Sequence, residues 1–144
     1  MGRNKNLKYE WAETLNNVIQ HTKPDFGQQK GQWNSKQFLN DNPIVLELGC
    51  GRGEYTNGLG KLFPDMNFVG IDVKGDRLAQ GGRAAREMEL TNTTFLRIHM
   101  QVIDEHFAEN EVHFGQMFGE LVRVLKPGGT CLVVELKSIA VLIF

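Results

Sequence analysis

The chain has 144 residues, 41% of them apolar and 23% charged, and a formal net charge of −1. That length suits one domain with a buried core, no apolar run approaches the ~20 residues of a membrane span, and near-neutrality gives no general affinity for nucleic acid. Two distant cysteines, Cys50 and Cys131, build neither a disulfide framework nor a metal cluster, so they read as reduced thiols of a cytoplasmic protein.

In chain order, residues 1–7 read as disordered. Residues 8–21 carry Trp11, Leu15, Val18 and Ile19 at helical spacing, which predicts a helix packed on the edge of the core domain. Residues 22–31 hold Pro24, Gly27 and Gly31 and read as a loop. Residues 33–39 predict a short helix with Phe38 and Leu39 buried. Residues 1–40 carry six basic and three acidic side chains, while the remainder carries ten and fourteen. A mildly basic arm on an acidic body suits phosphate contact, and equally a solvated face. The expected division is an arm, helix and loop over 1–40 and one α/β domain over 41–144.

That domain opens with the most informative stretch, Ile44-Val45-Leu46-Glu47-Leu48-Gly49-Cys50-Gly51-Arg52-Gly53. An apolar run after Pro43 predicts a strand buried on both faces. Glycines at every second position predict a tight turn whose backbone a ligand can approach. The next helix has Tyr55, Leu59, Leu62 and Phe63 on one face and stops at Pro64. Strand, glycine turn and helix form the first half of a nucleotide-binding βαβ unit. A second strand, Asn67-Phe68-Val69-Gly70-Ile71, ends in Asp72, about twenty residues past the glycines, where a carboxylate can accept ribose hydroxyls.

Asp76 is then the expected N-cap of a helix over 77–90, with Leu78, Gly82, Ala85 and Met88 inward. A third strand is expected over 94–98, a short helix over 102–107, an acidic loop over 109–111, a helix over 116–125 and a β-prone run over 130–136. Residues 139–144 are almost wholly apolar. Alternating strands and helices predict a mainly parallel sheet with the ligand at the carboxyl ends of its strands.

Glu47-x-Gly49-x-Gly51-x-Gly53 resembles motif I of class I S-adenosylmethionine (SAM) methyltransferases. The chain further resembles bacterial tRNA (guanine-N7)-methyltransferases in Arg3-Asn4-Lys5, Lys30-Gly31-x-Trp33, the stretch 42–55, Phe63-Pro64-Asp65, Phe68 through Asp72-Val73-Lys74-Gly75, and Phe95-Leu96-Arg97. Lys126-Pro127-Gly128-Gly129 is a wider class I feature. The resemblance implies a Rossmann-like, three-layer class I methyltransferase fold with SAM as cofactor and tRNA as substrate. It assigns Glu47, Gly49, Gly51 and Gly53 to the methionine end of SAM, Asp72 to the ribose and Val73 to the adenine flank. His99 stands where relatives carry Asp or Asn to read the adenine amino group.

The resemblance stops at Glu111. The family's fourth strand with its Phe-x-Asp-Pro element, and the basic segment after it, have no counterpart here. The expected sheet is therefore truncated on its fourth-to-seventh strand side, no catalytic residue is assigned and no metal is implied. Glu135 and Lys137 match no family motif and read as solvated strand-end residues. The alternative function is a non-catalytic or partner-dependent SAM-binding domain. Residues 130–136 are expected to pair directly with Ile44–Leu48, leaving 139–144 as an added edge strand or an apolar tail for self-association.

Overall fold

The computed structural model describes residues 2–108, 111–112, 132–136 and 139–143, with only backbone described at 2–3 and from 132 onward. The helix predicted over 116–125, the turn at Lys126 to Gly129, His113, Phe114 and Cys131 lie outside the described residues.

The described strands form one six-stranded sheet. Its members are β1 (Val18–Ile19), β2 (Ile44–Leu48), β3 (Asn67–Asp72), β4 (Thr93–Arg97), β5 (Leu132–Leu136) and β6 (Ile139–Ile143), in the spatial order β1-β4-β3-β2-β6-β5. All neighbours are parallel except β5 and β6. The helices are α1 (Gly2–Thr14), α2 (Glu54–Leu62), α3 (Gly75–Glu87) and α4 (Ile103–His106).

Alternation along the strands separates two cores. Val18 and Phe95 face one side, with Leu15 of the segment after α1 and Leu78, Ala79 and Ala85 of α3. Their neighbours Ile19 and Leu96 face the other, with Leu46, Leu48, Val69, Ile71, Trp33, Ile103 and Phe107. Helices cover the first face, and the 33–38 segment with α4 covers the second. This is the three-layer arrangement of a Rossmann-like class I methyltransferase fold, present in part.

Several elements differ from expectation. The N-terminal helix covers Gly2–Thr14, not 8–21. Val18 and Ile19 leave it to pair with Phe95 and Leu96 on β4, because β-branched side chains at an open sheet edge gain more from strand pairing than from extending a helix. Residues 33–39 give a π-helical turn over Asn34–Phe38. Leu39 then adopts φ 58° and is 79% exposed, so it is not buried as predicted.

In α2 the apolar stripe is buried only at Leu59: Tyr55 and Leu62 are exposed, while the polar or small residues Thr56, Asn57 and Gly60 are buried with it. Polar pairing sets this rotation, since Asn57 Nδ2 donates to Gly81 O at 3.0 Å and Thr56 bonds Glu47. In α3 the cap position falls on Lys74, and Asp76 sits inside the first turn, where its charge suits the helix dipole. Met88 is exposed. The glycine pair is explained by packing. A Cβ at Gly81 would stand 2.8 Å from Phe95 Cε1 and 2.9 Å from Arg52 O, and one at Gly82 would stand 2.5 Å from Val18 Cγ2.

The C-terminal pairing is also corrected. Ile139–Ile143, not 130–136, lies beside β2, with Leu46 opposite Val141 and Glu47 opposite Leu142. Leu132–Leu136 is the outer strand, antiparallel to β6. An interior strand flanked on both sides favours an unbroken apolar sequence, which Ile-Ala-Val-Leu-Ile provides and Leu-Val-Val-Glu-Leu does not. Only two residues separate the strands, a length suited to a hairpin. Ile139–Ile143 is thus an interior strand of the sheet rather than a free tail.

Candidate functional site

Strands β2, β3 and β4 run parallel in register, so their carboxyl ends bring Gly49–Gly53, Asp72–Val73 and Arg97 to one edge. The turn after β2 is anchored to β3 by Cys50 N–H donating to Ile71 O at 3.0 Å. Gly49, Gly51 and Gly53 have φ of 69°, 58° and 75°, a region costly for any residue with a Cβ.

The three glycines differ in what surrounds them. A Cβ at Gly49 or Gly51 meets no protein atom within 4 Å. A Cβ at Gly53 would stand 2.6 Å from Phe95 Cζ and 3.4 Å from Gly81 Cα. Gly53 therefore serves packing of the turn on β4 and α3, while Gly49 and Gly51 leave the turn open to a ligand.

Glu47 is 6% exposed. Burial pushes its carboxyl up to about 7, and hydrogen bonds from the Thr56 hydroxyl and backbone offset part of that. Sequence reasoning missed Thr56. Its signal was Gly70, opposite Glu47 in the β2–β3 register. A glycine inside a strand often marks a close approach, and a Cβ there would stand 2.8 Å from Thr56 Oγ1 and 2.9 Å from Cys50 Sγ. Burial, with the Glu47 and Asp72 charges, holds the Cys50 thiol well above its ordinary range, so it stays a neutral thiol.

Asp72 is half-buried and links the turn to the next loop. Its Oδ2 accepts from Gly51 N–H and its Oδ1 from Lys74 N–H, both at 3.0 Å. Each oxygen keeps a second lone pair. Val73 is exposed beside it. His99 is exposed two residues past β4, at the head of a 3₁₀ turn, where its carbonyl accepts from Val102 N–H at 3.2 Å.

Another polar cluster fixes the opposite layer. Glu111 accepts from Gly31 N–H at 2.8 Å, Trp33 N–H at 3.0 Å and Ala108 N–H at 2.9 Å. Trp33 is fully buried, donates Nε1–H to His106 O at 2.8 Å and stacks on Phe107. The Lys30-Gly31-x-Trp33 motif is thus an anchor for the layer containing α4. Among the described residues no group of His, Cys, Asp and Glu could hold a metal ion, and no helix is long and apolar enough to cross a membrane.

A parallel sheet carrying an acid, an open glycine turn and a second-strand aspartate at one edge defines the class: a class I methyltransferase domain. Comparison with known proteins narrows it. A family model described as "Putative methyltransferase" matches residues 41–118. The tRNA (guanine-N(7)-)-methyltransferase of Cytophaga hutchinsonii is 45% identical over 112 residues, 78% of this chain and 50% of that protein. The enzyme of the same description from Porphyromonas gingivalis is 47% identical over 106 residues, 69% of this chain and 43% of that protein. The chain belongs to this methyltransferase family and is a homologue of the bacterial tRNA (guanine-N7)-methyltransferases. It spans about half the length of the curated relatives it matches.

Proposed function

We propose that this chain binds SAM at the Gly49–Gly53 turn and serves methyl transfer to N7 of a guanine in tRNA. The observation that supports this best is the triad of polar features on one turn: Glu47 buried beneath it, Gly49 and Gly51 open above it, and Asp72 bonded to Gly51 N–H at 3.0 Å. The residues fit the group. A buried acid suits an ammonium, open glycines suit a close backbone approach, and the spare lone pairs of Asp72 suit a ribose diol. SAM supplies an electrophilic methyl on a sulfonium when bound.

Each residue then has a role. Glu47 ionises against the cofactor's ammonium, with Thr56 fixing its carboxylate. Asp72 orients the ribose, Val73 lines the adenine, and His99 offers a ring nitrogen on the same edge. Guanine N7 has a free lone pair, so no base need remove a proton, and the protein's task is alignment. The kinship with tRNA enzymes supports the substrate. The missing Asp-Pro element supports a second reading, a SAM-binding domain that needs a partner for its reaction. Radiolabelled SAM with unmodified tRNA and nucleoside analysis separates the two. Label in 7-methylguanosine supports the enzyme, and SAM binding without transfer supports the partner-dependent domain. Absence of both rejects the assignment.

A further inference from the structure

Arg97 ends β4 opposite Asp72. Its Nε–H donates to Val73 O at 3.1 Å, and its guanidinium lies over the Tyr9 ring of α1, 5.7 Å from the centroid. Gly75 fits against both: a Cβ there would stand 3.0 Å from Arg97 Nη1 and 3.2 Å from Tyr9 Cε1. Three stretches distant in sequence, α1, the loop after β3 and the end of β4, therefore meet at one guanidinium.

The atoms held are informative. Val73 C=O and Lys74 N–H belong to one planar peptide unit. Arg97 holds its oxygen, and Asp72 Oδ1 accepts from its N–H at 3.0 Å. Rotation of that unit breaks both bonds, so Arg97 sets the peptide and the peptide sets the carboxylate. A carbonyl on an exposed loop could be satisfied by water, so an arginine backed by an aromatic ring is more than hydrogen-bond satisfaction requires. The ring limits the guanidinium's freedom, and a planar fork loses little entropy on binding.

We propose that Arg97, lying over the Tyr9 ring, is a positioning residue for the adenosine end of the cofactor site, acting through the Val73–Lys74 peptide on Asp72. The inference rests on the SAM reading above. It makes cofactor affinity depend on the seating of α1.

The test is calorimetry on the full chain with SAM and with 5′-deoxy-5′-methylthioadenosine, which lacks the amino-acid end. Tyr9→Leu and Arg97→Gln should each weaken both ligands about tenfold, a usual size for a residue acting at one remove, with thermal unfolding within about 2 °C of wild type. Tyr9→Phe keeps the ring and should bind as wild type. The double variant should be no weaker than the worse single one, because both remove one clamp. Glu47→Gln should weaken SAM and leave the truncated ligand unchanged. Wild-type binding of both ligands with the Tyr9 and Arg97 variants within twofold would overturn the clamp alone. No binding to wild type would remove the SAM reading and the clamp with it.

Discussion

The buried acid Glu47 allows a quantitative test that separates function from stability. Its carboxyl titrates at about 7 in the folded chain against 4.5 unperturbed, chiefly through burial. The folded state therefore holds this proton more tightly than the unfolded state, and stability falls as pH rises. The cost is absent below about 4.5, grows between 4.5 and 7, and is complete above 7. A displacement of that size corresponds to about 3 kcal/mol. Glu47→Gln removes the ionisation and keeps the shape and the Thr56 partner. The variant should exceed wild type by less than about 1 kcal/mol at pH 5 and by about 3 kcal/mol at pH 8, the latter roughly 10 °C in Tm for a domain of this size. SAM binding should move oppositely, being weakened in the variant. In wild type, affinity should rise toward pH 7 and flatten there, because pairing with an ammonium releases the proton. Thermal melts and calorimetry across pH 5–8 check both. A glutamine variant that tracks wild-type stability at every pH would refute the burial of an ionised carboxylate at this position.

Asp72→Ala should lose two charge-assisted bonds to ribose, each worth on the order of 1.5–3 kcal/mol. Unchanged SAM affinity by calorimetry would contradict that role. Gly81→Ala should destabilise by about 1–3 kcal/mol despite better helix propensity, since the methyl meets the Phe95 ring and Arg52 O; denaturant titration measures it. Affinity for tRNA should be weak and fall steeply with salt, and Lys5→Glu with Lys8→Glu on α1 should flatten the slope. Tight binding indifferent to salt and to these charges would contradict a phosphate-contacting arm.

Much was legible because the signals were local. Ile44–Leu48, the glycines and Asp72 stand at fixed spacing on one βαβ unit, so alternation and turn chemistry placed them at one edge without knowledge of any neighbour. Glu47 was readable as an acid inside an apolar strand. What the sequence could not supply was competition between distant partners. Val18 and Ile19 have helical spacing yet pair with β4, because an open sheet edge outweighs a weak helix preference. Tyr55 and Leu62 belong to the apolar stripe of α2 yet are exposed, while Thr56 and Asn57 face inward beside Leu59 to reach Glu47 and Gly81. Ile139–Ile143 and Leu132–Leu136 are both apolar and β-prone, and only the need of β2 for an uninterrupted neighbour assigns the inner place. Gly53 also packs closely under Phe95, a contact that its place in the glycine turn did not reveal. Residue order alone determined the chemistry at the edge of the sheet. Tertiary structure decided which face each element buries, because burial is shared among segments whose separation along the chain carries no signal.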